Sequence, residues 1–439
     1  MQDAATRVLI GDSLGFHIFF VMIGIGLPLL IAIFEFIALR RQDKQLYEHI
    51  RRWTVATAVF VVAGIVSGTL IAVQLALIWP QWMAFTSKVV GPAFMFEGYF
   101  FLIEAAFLSW YVLSWGKITG FKHWLIGLGV VVGSLGSAVV ITLVSSWMNE
   151  PTGFTLVNGE PISVNIQAAL FTSTGFVTVF HSILSYITTV SLVVAGIYGI
   201  GYVRSKTASK KEAFQFIALR LAAIGFIFGA ATALFGDMTA KNLLVKNPQK
   251  LAAYELQMKT ESGAPYRIGG VYDESTGTVE GDIEVPYLLS FLATGNPNGT
   301  VEGLDATSKS DWPPLVTHLL FDIKMATAIM TLLIPLVLLV LYLKSIRHKF
   351  DWLRGFMWRI LPLAGITAFI TVELGWIMAE LGRQPYSIQG IMLTKDSFTN
   401  DPSVIAFGYL FPIAFVMLLI ATFVALPIAL KHFNKKGAY

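Results

Sequence analysis

The sequence predicts an all-α membrane protein with nine transmembrane helices, the N-terminus outside, the C-terminus cytoplasmic and a long outer loop between helices six and seven. Three observations carry this. Of 439 residues, 55% are hydrophobic and only 13% charged, where a soluble domain carries about 25% charged residues. Nine apolar runs reach the roughly 20 residues that a helix needs to cross the hydrocarbon core: 12–39, 54–79, 91–115, 124–147, 174–203, 214–235, 315–343, 359–381 and 404–430. Lys and Arg gather in alternate loops, which sets the orientation.

The elements follow in order. The first run, from Ile10 to Leu39, is too long for a signal peptide and ends at no small-residue cleavage site, so it reads as a retained helix. The segments after helices one, three, five and seven are basic and face the cytoplasm: Arg40, Arg41, Lys44, Arg51 and Arg52; Lys117 and Lys122; Arg204, Lys206, Lys210 and Lys211; Lys344, Arg347, Lys349 and Arg354. The tail adds Lys431, Lys435 and Lys436, whereas 149–173 has no Lys or Arg. From Gly236 to about Asp311 runs an outer segment with eleven acidic and six basic residues. Its Gly, Pro, Asn and Ser content predicts irregular structure with a short helix over 248–259, and disorder is the alternative for 260–284. The chain divides into helices one to six (1–235), an outer loop (236–313) and helices seven to nine (314–439).

Composition excludes several chemistries. There are no cysteines, so disulfides, Cys-ligated iron–sulfur clusters, thioether-attached haem and thiolate zinc are ruled out. Any iron must be held by His, Met, Tyr or a carboxylate. The 33 Phe and 11 Trp suit lipid tails and porphyrin faces. A net charge of +4 reflects the loops and implies no nucleic-acid partner.

Of seven histidines, His49, His348 and His432 fall in basic segments and read as solvated. His123, beside Lys122, reads as an interfacial anchor, and His318 as a rim residue. His17, flanked by Phe16, Ile18, Phe19 and Phe20, and His181, after Thr174 and Thr178, lie inside apolar helices. Intramembrane ionisable groups are costly and usually functional. The competing reading is a neutral histidine tying two helices. Met325 follows Lys324 in helix seven; a lone Met is usually packing, but a His/Met pair makes a saturated low-spin haem. Glu97 and Glu104 are seven apart and share a face of helix three, and Glu373 and Glu380 repeat that spacing in helix eight. Such carboxylates form proton relays or coordinate iron; the plainer readings are a salt bridge with Arg383 for Glu380 and snorkelling for Glu35.

Four strings give these residues a common frame: the His of helix one, GPAFMFEG (91–98), KLAAYE (250–255) followed by VPYLLSFLAT (285–294), and VELGWIMAELGRQPY (372–386). With them the chain resembles subunit I of cytochrome bd-type quinol oxidases over nearly its whole length. The resemblance implies a terminal respiratory oxidase that oxidises quinol on the outer side and reduces O2 to water, building proton motive force without a pump. It implies two haems b, one of them low-spin, and a third haem that is d or b. His181 and Met325 resemble the axial pair of the low-spin haem, and His17 and Glu373 the single ligands of the other two, which of them serves the oxygen site being open. Lys250 and Glu255 resemble the quinol pair, Glu97 and Glu104 the proton path, and Arg383 and Gln384 propionate partners. Two positions depart from the family pattern. Ile323 stands where an Arg is usual two residues before the Met, with Lys324 next to it, and Tyr386 stands where Trp is usual.

The implied partners are a second membrane subunit, a small single-helix subunit, quinol, O2 and the lipid bilayer, in the multi-pass setting of a bacterial or archaeal cell membrane. The alternatives are an all-haem-b, cyanide-insensitive-type oxidase, a quinol:acceptor reductase, and a secondary transporter or ion channel. No internal repeat of the transporter kind is visible.

Overall fold

A computed structural model describes residues 2–343, 345, 346 and 349–435, with side chains from Arg7 to Phe433. Lys344, Arg347, His348 and Lys436, expected in basic segments, lie outside the described residues. Thirteen helices follow in chain order: α1 (Gln2–Arg41), α2 (Lys44–Ile78), α3 (Pro80–Ser114), α4 (Phe121–Asn149), α5 (Ile166–Leu170), α6 (Ser173–Arg204), α7 (Ala208–Lys246), α8 (Pro248–Tyr254), α9 (Leu288–Thr294), α10 (Val316–Val340), α11 (Asp351–Leu381), α12 (Pro402–Gly408) and α13 (Leu410–Lys435). Among the described residues nine spans, with α12 and α13 forming the last, are long and apolar enough to cross a membrane. The predicted runs are all present. Most extend further, because polar interfacial turns are helical too and hydropathy is blind to them. Asp43 caps α2 by accepting the Leu46 N–H at 3.0 Å, and Thr172 caps α6 through the Gly175 N–H at 2.9 Å.

The helices alternate in direction, so the bundle has two ends. The loop end carries the segment between α7 and α10, and the basic end carries the Lys- and Arg-rich turns. Four antiparallel strand pairs decorate the loop end: β1 (Thr155–Val157) with β2 (Glu160–Ile162), β3 (Glu261–Ser262) with β6 (Thr300–Val301), β4 (Tyr266–Asp273) with β5 (Thr278–Val285), and β7 (Tyr386–Ile388) with β8 (Met392–Leu393). The β4–β5 hairpin replaces the disorder weighed for 260–284. It pairs Tyr266 with Val285 through to Asp273 with Thr278, and Asp273 Oδ1 accepts the Ser275 N–H at 2.8 Å to close its turn. The helix expected over 248–259 ends at Tyr254.

α1 occupies the middle, packed against α2, α4, α6 and α11. Phe20, Leu30 and Phe34 on it are wholly buried. In lipid, helices associate by close packing rather than by water exclusion, so small residues sit at the tightest crossings. Gly365 of α11 is one: a Cβ there would stand 2.7 Å from the Val193 Cα of α6.

Candidate functional site

Two histidines are built alike. His17 Nδ1 lies 2.8 Å from Ser67 Oγ of α2, and its Cε1 would be 3.3 Å from a Cβ at Gly68. On α6, His181 Nδ1 donates to the Thr232 carbonyl of α7 at 3.0 Å, and its Cε1 would be 3.2 Å from a Cβ at Gly236. Each ring therefore lies over a glycine of the neighbouring helix with Nδ1 engaged. Neither Nε2 has a hydrogen-bond partner among the described residues. Metal-ligating histidines are oriented in this way, with one nitrogen tied to a fixed acceptor and the other aimed at the metal.

Glu373 reaches the His17 region. Its Oε2 lies 3.6 Å from where a Gly15 Cβ would stand, and its Oε1 is buried with no hydrogen-bond partner. Glu380, one heptad on, pairs with Arg383 as the sequence suggested. Ile18, Met22, Tyr186, Val372 and Trp376 form an apolar cluster between α1, α6 and α11, with the Trp376 indole donating to Tyr186 Oη at 2.9 Å.

α10 packs against α11 on one side and α7 on another. Lys324, Thr327 and Thr331 face α11: Thr371 Oγ1 donates to Thr327 at 2.8 Å, Thr331 Oγ1 donates to Thr367 at 2.9 Å, and Lys324 Cε lies 3.7 Å from a Gly375 Cβ. Met325, 39% exposed, lies about 100° around the helix. It sits one heptad from Leu332, which touches Gly229 of the antiparallel α7. One heptad along α7 from Gly229 is Gly236, beside His181. Met325 and His181 therefore share a depth in the bundle.

The carboxylates of α3 form a stripe. Glu97, Glu104 and Tyr111 recur every seven residues on one face, with Glu104 buried. Toward the basic end the stripe runs into a cluster that the sequence reading missed. Tyr111 Oη donates to Glu35 Oε2 at 2.6 Å, and His123 Nδ1 lies 2.5 Å from Glu35 Oε1. Glu35 is 1% and His123 3% exposed, so neither snorkels nor anchors at an interface. His49 is likewise not simply solvated: its Nδ1 bonds Tyr198 Oη at 2.8 Å. Hydropathy reads each helix separately and cannot show such meetings between distant residues.

At the loop end α8 plugs the bundle. Lys250 is buried, and its Nζ donates to Asn149 Oδ1 at 2.8 Å and to the Ala379 carbonyl at 3.1 Å. Burial, then the neighbouring Arg383 guanidinium, brings its ammonium down to about 7, against a smaller upward pull from Glu380. Glu255 is 5% exposed, and its Oε2 is buried with no hydrogen-bond partner. Burial, then the Asp322 carboxylate, pushes its carboxyl up to about 8. Tyr254, between them, donates to the Met378 carbonyl at 2.6 Å. Arg383 keeps Nε and one terminal nitrogen buried and unpaired, while Gln384 Oε1 is taken by Arg7 at 2.5 Å and Thr394 Oγ1 at 2.9 Å. His318, expected at the rim, is 1% exposed.

These donors fit haem better than a bare ion. Among the described residues no three His, Asp or Glu side chains converge on one point, as zinc or non-haem iron would require. Single unpartnered imidazoles and an orphaned carboxylate oxygen in apolar surroundings match a cofactor that brings four equatorial ligands of its own.

The cytochrome bd terminal oxidase subunit I family matches residues 5–435. A Bacillus subtilis protein described as a cytochrome bd menaquinol oxidase subunit I is 36% identical over 91% of this chain and 89% of its own length. The cytochrome bd ubiquinol oxidase subunit 1 of the same organism is 26% identical over 94% and 91%. The solved structure of the bd oxidase from Geobacillus thermodenitrificans superposes with a TM-score of 0.90 at 32% identity, over 99% of both chains.

Proposed function

The chain belongs to the cytochrome bd terminal oxidase subunit I family, and we propose that it oxidises a membrane quinol at the loop end and delivers the electrons to O2. It is a multi-pass membrane oxidoreductase of the respiratory chain, and quinol oxidation with O2 reduction is the reaction consistent with that family. The observation that carries the finer reading is the shared build of His17 and His181, with Nδ1 tied and Nε2 unpartnered.

His181 and Met325 would hold a low-spin haem b from both faces, and His17 and Glu373 would each hold one further haem from a single face, one b and one d or b. Bound haems supply one-electron carriers and, where a single ligand leaves a position open, the iron at which O2 is reduced. The unpaired nitrogens of Arg383 are suited to a propionate, with Gln384 steadied beside it by Arg7. At the loop end the Glu255 carboxylate accepts a hydroxyl proton of the quinol, and the Lys250 ammonium steadies the quinone oxygen that forms. The Glu97–Glu104 stripe, continued by Tyr111 and the Glu35–His123 pair, lines a route for protons from the basic end. With the loop end outside and the basic end in the cytoplasm, protons are released outside and consumed inside, so turnover is electrogenic without a pump. The division at 236–313 then separates a quinol-binding loop from two haem-bearing helical portions. The setting is a bacterial plasma membrane, as the relatives are bacterial, with a second membrane subunit and a small single-helix subunit as partners; these relatives lend no support to an archaeal membrane.

The test is oxygen uptake by the purified complex on added quinol. Uptake abolished by Lys250→Ala, with all pigment retained, supports the reading; uptake indifferent to that change removes the loop end from the reaction.

A further inference from the structure

His318, buried at the loop end, is held through both ring nitrogens. Its Nδ1 lies 2.8 Å from the Tyr254 carbonyl, and its Nε2 2.8 Å from the Gly269 carbonyl of β4. Both ring nitrogens are thus engaged by backbone carbonyls on two different segments. Asp322 Oδ2, one turn along α10, is 3.6 Å from Nε2. The same Asp322 oxygen accepts the Gly269 N–H at 2.6 Å. His318 and Asp322, at i and i+4, thus grip both polar groups of one residue of the hairpin. Gly269, at a φ of +68°, keeps Asp282 as its strand partner, and the pairing skips Gly270 before resuming at Val271.

The third tie is to the residue before Glu255. Holding the Tyr254 carbonyl fixes the backbone from which the Glu255 carboxylate springs, and the Tyr254 ring stacks on Phe321 of α10 with centroids 6.0 Å apart. His318 is also one heptad from Met325 on the same face of α10, about 10 Å away along the axis. One rigid helix therefore sets the loop's distance from the proposed low-spin haem.

We infer that His318, together with Asp322, is a positioning residue for quinol oxidation that clamps the Tyr254–Glu255 backbone and the β4–β5 hairpin to α10. This rests on the reading of Lys250 and Glu255 as the quinol pair.

The test uses the intact complex with His318→Gln and, should that variant fail to assemble, Asp322→Asn. Quinol KM and kcat, amide exchange over 266–273 and the dithionite-reduced spectrum are measured. The expected result is a KM raised about tenfold, the scale of one hydrogen bond. Little change in kcat, faster exchange over 266–273 and an unchanged spectrum go with it. An unchanged KM, or loss of a haem band, overturns the inference. Glu255→Gln run in parallel separates the two claims. If Glu255→Gln impairs quinol oxidation and His318→Gln does not, only the clamp fails; if Glu255→Gln has no effect, the quinol reading itself fails.

Discussion

Glu35 and Glu255 are carboxylates at opposite ends of the bundle, 1% and 5% exposed, yet they are completed differently. Glu35 receives Tyr111 on one oxygen and His123 on the other. Glu255 has an oxygen with no partner among the described residues, as has Glu373 deeper in the bundle. A buried polar atom left unpaired costs about 1–3 kcal/mol, so folds rarely keep one unless something arrives to complete it. The Glu35 cluster is finished by the chain itself, whereas the Glu255 and Glu373 regions each leave an oxygen for the proposed quinol or haem. Burial alone does not separate the two kinds of carboxylate; hydrogen-bond completion does.

The largest expected contrast is between histidines. His181→Ala should abolish the low-spin haem band, while His123→Ala should leave every band in place; equal pigment loss in both would erase the distinction. Next, Glu373→Gln should remove one haem signal and Glu380→Gln, already held by Arg383, should not. The reverse pattern would move the iron ligand to Glu380.

At the loop end, Lys250→Met or Glu255→Gln should lower quinol kcat/KM by about 10²-fold or more at full haem content. The pH profile sharpens this. Glu255 acts as a base only when deprotonated, so activity should climb as pH rises toward about 8. Lys250 acts only when charged, so activity should decline above about 7. The optimum then falls between the two, Glu255→Gln flattens the acid limb and Lys250→Met the alkaline one. At the basic end, Glu35→Gln should cost about 1–3 kcal/mol of stability, seen as a lower thermal midpoint with the haem bands intact. The smallest effect belongs to Gly68→Ala and Gly236→Ala. Each Cβ would crowd an imidazole by a few tenths of an ångström, shifting a haem band without losing it.

The nine spans were legible because twenty apolar residues in a row have one use in a protein. His17, His181 and Glu373 stood out because a polar residue in such a run is anomalous. Glu35 and His123 were misread for the opposite reason: each sits near a helix end, where polarity is ordinary, and only the fold brings them within 2.5 Å. His318 was hidden in the same way at the start of α10. The β4–β5 hairpin was obscured by composition, since its Gly and acidic residues resemble a loosely ordered loop; the alternation of Val, Ile and Tyr with polar residues on either side of Asp273–Thr278 was the available signal.

The central claim is that the two alike-built histidines face haem. The most direct measurement is a dithionite-reduced minus air-oxidised visible spectrum of the purified complex, set beside that of His181→Ala. The account predicts a low-spin b band together with bands of further haems, and selective loss of the low-spin band in the variant. A protein made with ample haem supply that shows no haem bands, or a variant spectrum identical to that of the unaltered complex, would contradict it.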